Sequence, residues 1–192
     1  MDEDWKSAWD PVRARIGEPF PLFQLPGDYA IDAVEAGAIR KYLEPLEFDC
    51  PLHYDEDVAR HHGYPGIIAP YTSMLTFTLL AMWRPGTQLF TSDSPDAQPE
   101  KTAIKPNLPD YFPKFTSYFS TDMEFEFFRP VVVGETIWRE PGLLIDCEPK
   151  ETSVGRGAFI KADCRIVNQS GELIARQFFG SYYYNPFTEE GA

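Results

Sequence analysis

With 192 residues, 43% hydrophobic and 15% aromatic, the chain has the apolar mass for one packed core but too little length for two full domains. Its 17 Lys+Arg against 30 Asp+Glu give a net charge of -13, which repels a phosphate backbone and argues against nucleic-acid partners. Cys50, Cys147 and Cys164 are odd in number, far apart and outside any C-x-x-C spacing, which excludes both a disulfide framework and a cysteine zinc site.

A reducing, cytoplasmic setting is the expectation. The acidic start MDEDWKSAWD lacks the basic and apolar run of a signal peptide, and no apolar stretch reaches the roughly 20 residues that span a bilayer.

In chain order, Trp5, Trp9 and Val12 at helical spacing predict a helix over 4–15, ended by Gly17 and Pro19. Pro and Gly punctuate 21–31. A second helix is predicted over 34–43, with Val34, Ala38, Ile39, Tyr42 and Leu43 on one side and Pro45 as its stop. Asp55, Glu56 and Asp57 put negative charge where a helix dipole favours it, so a short helix is predicted to His61, before Gly63. The segment 71–83 is apolar almost all round, the signature of a helix buried within something else.

Residues 84–121 form a long Pro- and aromatic-rich loop, either a surface excursion stapled by its rings or a functional lid. Strands follow. Met123 to Arg129 alternates acidic and aromatic side chains, and a turn at Val133-Gly134-Glu135 leads into a strand near Thr136. Farther on, Ala158, Ile160, Ala162, Cys164 and Ile166 face opposite to Lys161, Asp163 and Arg165, before a hairpin at 168–171 and a last strand to Tyr184. An antiparallel sheet with one wet face, curled around the 71–83 helix, buries both: an α+β fold in a single domain over 1–192.

The run Asp49-Cys50-Pro51-Leu52-His53-Tyr54-Asp55, with Ala59-Arg60 and Gly66-Ile67-Ile68-Ala69-Pro70, resembles the MaoC-like hydratases of the N-terminal, FAS1-like dehydratase type. Further support comes from 12–17, 125–130, 133–135 and 171–175. The resemblance implies a hot-dog fold and reversible hydration of a 2-enoyl thioester. Coenzyme A or acyl carrier protein would be the carrier, with no other cofactor and no metal. In the family motif D-x-N-P-x-H, the acid and the histidine hold the water between them. The start of the central helix, here Pro70, Tyr71, Thr72 and Ser73, would offer an amide to the thioester oxygen.

This chain keeps Pro51 and His53 but has Phe48 in place of the acid and Cys50 in place of the Asn. Phenylalanine cannot orient a water. Three readings follow. The chain is the degenerate half of a heteromeric enoyl-CoA hydratase, widened for a bulky acyl group such as a sterol side chain, beside a partner with an intact motif. Alternatively it is a self-sufficient homodimeric dehydratase using Asp49 and His53, with Tyr54 as a further proton donor. The third is an acyl-thioester-binding or scaffold module. Arg156 is a candidate contact for carrier phosphates, although Gly155-Arg156-Gly157 also suits a plain strand start. His61-His62 lacks a set of ligands around it, and the tyrosines 182–184 read as a strand with rings on both faces.

Overall fold

The computed structural model describes residues 4–20, 32–79, 85–86, 88–97 and 108–187. The predicted loop at 21–31, the tail of the predicted helix at 80–83 and much of the 84–107 stretch therefore lie outside the described residues. Six strands form one antiparallel sheet: β1 (Pro19–Phe20), β2 (Ser117–Phe127), β3 (Ile137–Arg139), β4 (Gly142–Thr152), β5 (Gly155–Asn168) and β6 (Leu173–Asn185). Their order is β1-β4-β5-β6-β2, with β3 also pairing to β5.

The predicted alternation on β5 holds. Ala158, Ile160, Ala162, Cys164 and Ile166 are buried on the inner face, and Arg165 lies outward beside Glu140. The outer face also carries Asp163, bonded to Arg176. Glycine is required at the sheet's tightest point, because a Cβ on Gly157 would collide with the Tyr183 carbonyl. Gly155 sits at φ 153° at the head of the same strand. The glycines flanking Arg156 therefore have backbone reasons of their own.

The helices are short. The predicted 4–15 helix is split into α1 (Asp4–Ser7) and α2 (Asp10–Arg13), while α3 (Ala36–Leu43) and α4 (Glu56–His61) match their predicted places. Asp55 caps α4, its carboxylate accepting the amides of Asp57 (2.9 Å) and Val58 (3.1 Å). The stretch predicted as a helix over 71–83 differs most. A 3-10 turn at Tyr71–Ser73 leads into α5 (Met74–Phe77), and Thr78 and Leu79 are not helical. The Thr78 hydroxyl donates to the carbonyls of Met74 and Leu75, the local back-bonding by which threonine competes with helix continuation.

Two apolar clusters fill the inner face. One joins Trp9, Val12, Phe20 and Phe112 to Leu144, Ile160, Ala162, Phe179 and Tyr183. The other joins Val34, Ile39, Leu43, Ala69 and Met74 to Ile137, Ile166, Ile174 and Ala175. Part of the predicted 84–121 loop belongs to the first cluster, with Phe112 edge-on to Trp9 at 5.2 Å and to Tyr183 at 5.1 Å. From Ser117 onward that segment is strand.

Candidate functional site

His53 ends a 3-10 turn, Pro51–His53, and is 8% exposed. Its Nδ1 lies 2.7 Å from the Ile68 carbonyl, which can only accept. Nδ1 is therefore the donor in this bond, so that in the neutral ring Nε2 carries the lone pair that a water-activating base requires. Ile68 is itself pinned, forming an isolated bridge with Val132, while the Ala69 amide donates to Val131 (2.8 Å) and the Val133 amide to Ile67 (2.9 Å).

The position five residues earlier faces the imidazole as the motif requires, but it presents a ring. Phe48 and His53 have centroids 5.7 Å apart at 38°. Glu47, at a left-handed φ of 50°, turns the chain into Phe48. Asp49 is exposed and makes no hydrogen bond to His53. Tyr54 donates its hydroxyl to the Phe48 carbonyl at 2.8 Å, so that proton already serves the loop.

Ile68 leads directly to the second group of predicted residues. Pro70 is buried, the Ser73 hydroxyl donates to its carbonyl (2.6 Å), and Tyr42 donates to the Thr72 carbonyl (2.8 Å). The first amides of this turn have no partner within the turn itself. Tyr71 stands half-exposed against Phe127, centroids 4.6 Å apart. The His53–Ile68 bond thus sets the imidazole beside a carbonyl that lies two residues before Pro70, where the Tyr71–Ser73 turn begins.

Arg156 lies apart from this turn. It opens β5, ten positions before Ile166, about 33 Å of extended strand. There it bonds Glu151 at 2.6 Å and borders a hollow of about 370 Å³ shared with Trp5, Trp9, Lys114 and Phe187. The rings of Tyr111–Phe119 are also remote from the Tyr71 turn: Phe115 packs on Tyr183, and Phe119 lies on Tyr182 and Tyr184.

An ion network behind Ile68 has no local signature in the sequence. Arg129 donates to both carboxylate oxygens of Glu135 (2.6 and 3.0 Å) and to Glu172 (2.7 Å). Glu135 also accepts the Val132 amide (2.8 Å) and Asn168 (3.0 Å). Burial pushes the Glu135 carboxyl up, but the bonds from Arg129, Val132 and Asn168 outweigh it and hold it below its ordinary value. Glu135 thereby holds Val132, which holds Ile68, which orients His53. The network lines a hollow of about 540 Å³ with Tyr64, Pro65 and Val133. Among the described residues no cluster of three His, Cys, Asp or Glu is placed to hold a metal ion. None of the described helices is long and apolar enough to cross a membrane.

Residues 28–177 match the profile described as FAS1-like, dehydratase domain region. The chain belongs to that family. A probable enoyl-CoA hydratase alpha subunit from Thermomonospora curvata is 29% identical over 157 residues, covering 81% of this chain and 46% of the relative. The chain spans about half the length of the curated relatives it matches. Among solved structures, the ChsH1–ChsH2 complex from Mycobacterium tuberculosis contains a chain superposing with a TM-score of 0.61 at 20% identity, covering 97% of this chain and 98% of that one. A MaoC-like dehydratase from Rhodospirillum rubrum superposes at 0.53 with 21% identity over 90% and 94% of the two chains. The curled antiparallel sheet is thus the hot-dog fold of the MaoC-like hydratases and dehydratases.

Proposed function

We propose that this chain is the acyl-pocket half of a heteromeric 2-enoyl thioester hydratase whose partner supplies the acid. One observation carries the reading: an imidazole whose Nδ1 is bonded to the Ile68 carbonyl, facing the Phe48 ring where the water's second holder belongs. Adding water to the double bond forms a C–O bond at one carbon and delivers a proton to its neighbour. His53 alone can accept the water's proton but has no second group to fix that water.

The reading is supported by β2, the last strand in the sheet order, which runs for 11 residues without a partner on its outer side among the described residues. Tyr118, Phe119, Met123, Phe127 and Phe128 are exposed along and just beyond it. A long apolar edge of this kind calls for a strand or surface from another chain. The alpha-subunit name of the Thermomonospora relative and the two-component complex from Mycobacterium agree with such a partner.

The test compares the chain alone, a hot-dog subunit bearing D-x-N-P-x-H alone, and the two together, following loss of the enoyl-CoA absorbance. The expected result is turnover of bulky acyl thioesters by the pair and none by this chain. Full activity of the isolated chain, abolished by His53→Ala or Asp49→Asn, would overturn the proposal in favour of the self-sufficient dehydratase.

A further inference from the structure

Ile68 clasps the Pro51–His53 turn with both of its backbone groups, the amide donating to the Leu52 carbonyl at 3.3 Å and the carbonyl accepting from His53 Nδ1 at 2.7 Å. The ring's direction therefore depends on where residue 68 is held. The bonds from Ala69 to Val131 and from Val133 to Ile67 flank the Ile68–Val132 bridge, so residues 67–69 lie against 131–133 as a short antiparallel ribbon outside the six strands. A two-stranded ribbon of this length is not stable by itself.

Glu135 fastens it. Its amide donates to the Val132 carbonyl at 3.0 Å while its carboxylate accepts from the Val132 amide at 2.8 Å, so one residue holds Val132 by both backbone groups. Gly134, at φ 96°, makes that reversal possible, and Val34 bonds both Gly134 and Glu135 at 2.8 Å. The carboxylate is 16% exposed and is kept in place by Arg129 and Asn168. Burying a charge in this way is a poor source of stability, because desolvation offsets most of what the pairing returns. An apolar side chain would pack there without that cost. Only an acceptor, however, can hold the Val132 amide.

We propose that Glu135 is a positioning residue for His53: by fixing Val132 it fixes the 67–69 ribbon, and with it the carbonyl that keeps the proton on Nδ1 and leaves Nε2 as the acceptor. Glu135 touches neither the imidazole nor the place a substrate would occupy, and it acts through backbone alone. The ring's orientation is a property of this chain by itself; its use in the reaction rests on the reading of the chain as a hydratase subunit.

Nitrogen NMR of the isotope-labelled chain in mildly alkaline buffer tests this, with the His53 ring assigned by its loss in His53→Gln. The unaltered chain is expected to show the His53 proton on Nδ1. Glu135→Ala should spread that proton over both nitrogens and speed its exchange with water about tenfold, the scale of one hydrogen bond. Arg129→Gln, a milder release of the same carboxylate, should move the signal in the same direction. Glu135→Gln, which keeps an acceptor for the Val132 amide, should preserve most of it. Val12→Ala, a core change in the other cluster, should leave it alone although it also costs stability. A His53 ring unmoved in both Glu135→Ala and Arg129→Gln would overturn the proposal. Equal disturbance by Val12→Ala would overturn it as well, Glu135 then being merely structural. With the hydratase partner present, Glu135→Ala should lower kcat for the enoyl thioester and leave KM unchanged, and an unchanged kcat in an active pair would count against the proposal in the same way. If the pair turns nothing over, the hydratase reading fails, while the ring signal still decides what Glu135 does.

Discussion

The two ends of the inner sheet face are built on different terms. At the Tyr183 end, Trp9, Phe20, Phe112 and Phe115 pack ring against ring and cover the face. At the Ala175 end the cover is α3 and the short α5, and Tyr71, Leu79 and Phe127 remain at least a third exposed. Apolar mass is spent on stability at one end. At the other, some of it stays exposed near the histidine of the motif, and an ion network braces that region in addition to its packing.

If that division is right, Trp9→Ala should be the most damaging change to folding, costing about 3–5 kcal/mol because Trp9 is almost fully buried against Phe112. Urea denaturation measures it, and a cost under about 1 kcal/mol would mean the aromatic end is not the anchor. The next effect concerns chemistry. Phe48→Asp restores an acid at the position facing His53 and should give the isolated chain a detectable enoyl-CoA turnover, a gain that added His53→Ala removes. No gain would show that the open end lacks more than its acid.

Arg129→Gln should cost about 2 kcal/mol, since it strips a largely buried carboxylate of its cation. It should also change the acid limb of stability. Glu135 is held below its ordinary value in the folded state, so its contribution is fully present above the unfolded value and fades as pH falls through the folded one. Melting temperatures from pH 6 to pH 2 should therefore fall less steeply for the variant, and parallel curves would contradict this. The smallest effect is Asp55→Ala, a lost helix cap worth about 1 kcal/mol, read from the same melts.

Much of this was legible along the chain. The charges at 55–57 announced α4, the alternation on β5 announced its inner face, and the spacing from Phe48 to His53 announced the missing acid. What escaped depends on partners far apart in sequence. Nothing local says that Trp9 meets Phe112, or that Arg129 reaches Glu172 across 43 residues. The apolar content of 71–79 suggested burial all round, but among these residues only Ser73, Met74 and Thr78 are buried while Tyr71 and Leu79 are exposed, and α5 ends at Phe77. Arg156 was read by its charge, whereas its place is set by glycines that let β5 and β6 approach.

The unpaired margin of β2 has a consequence for supply. Eleven extended residues with aromatic rings and, among the described residues, no strand paired on one side offer a matching ribbon a place to join, another copy of themselves included. If the proposed partner covers that margin, a chain made in excess over it should clump as its concentration rises, and production in equal amounts should keep it dispersed.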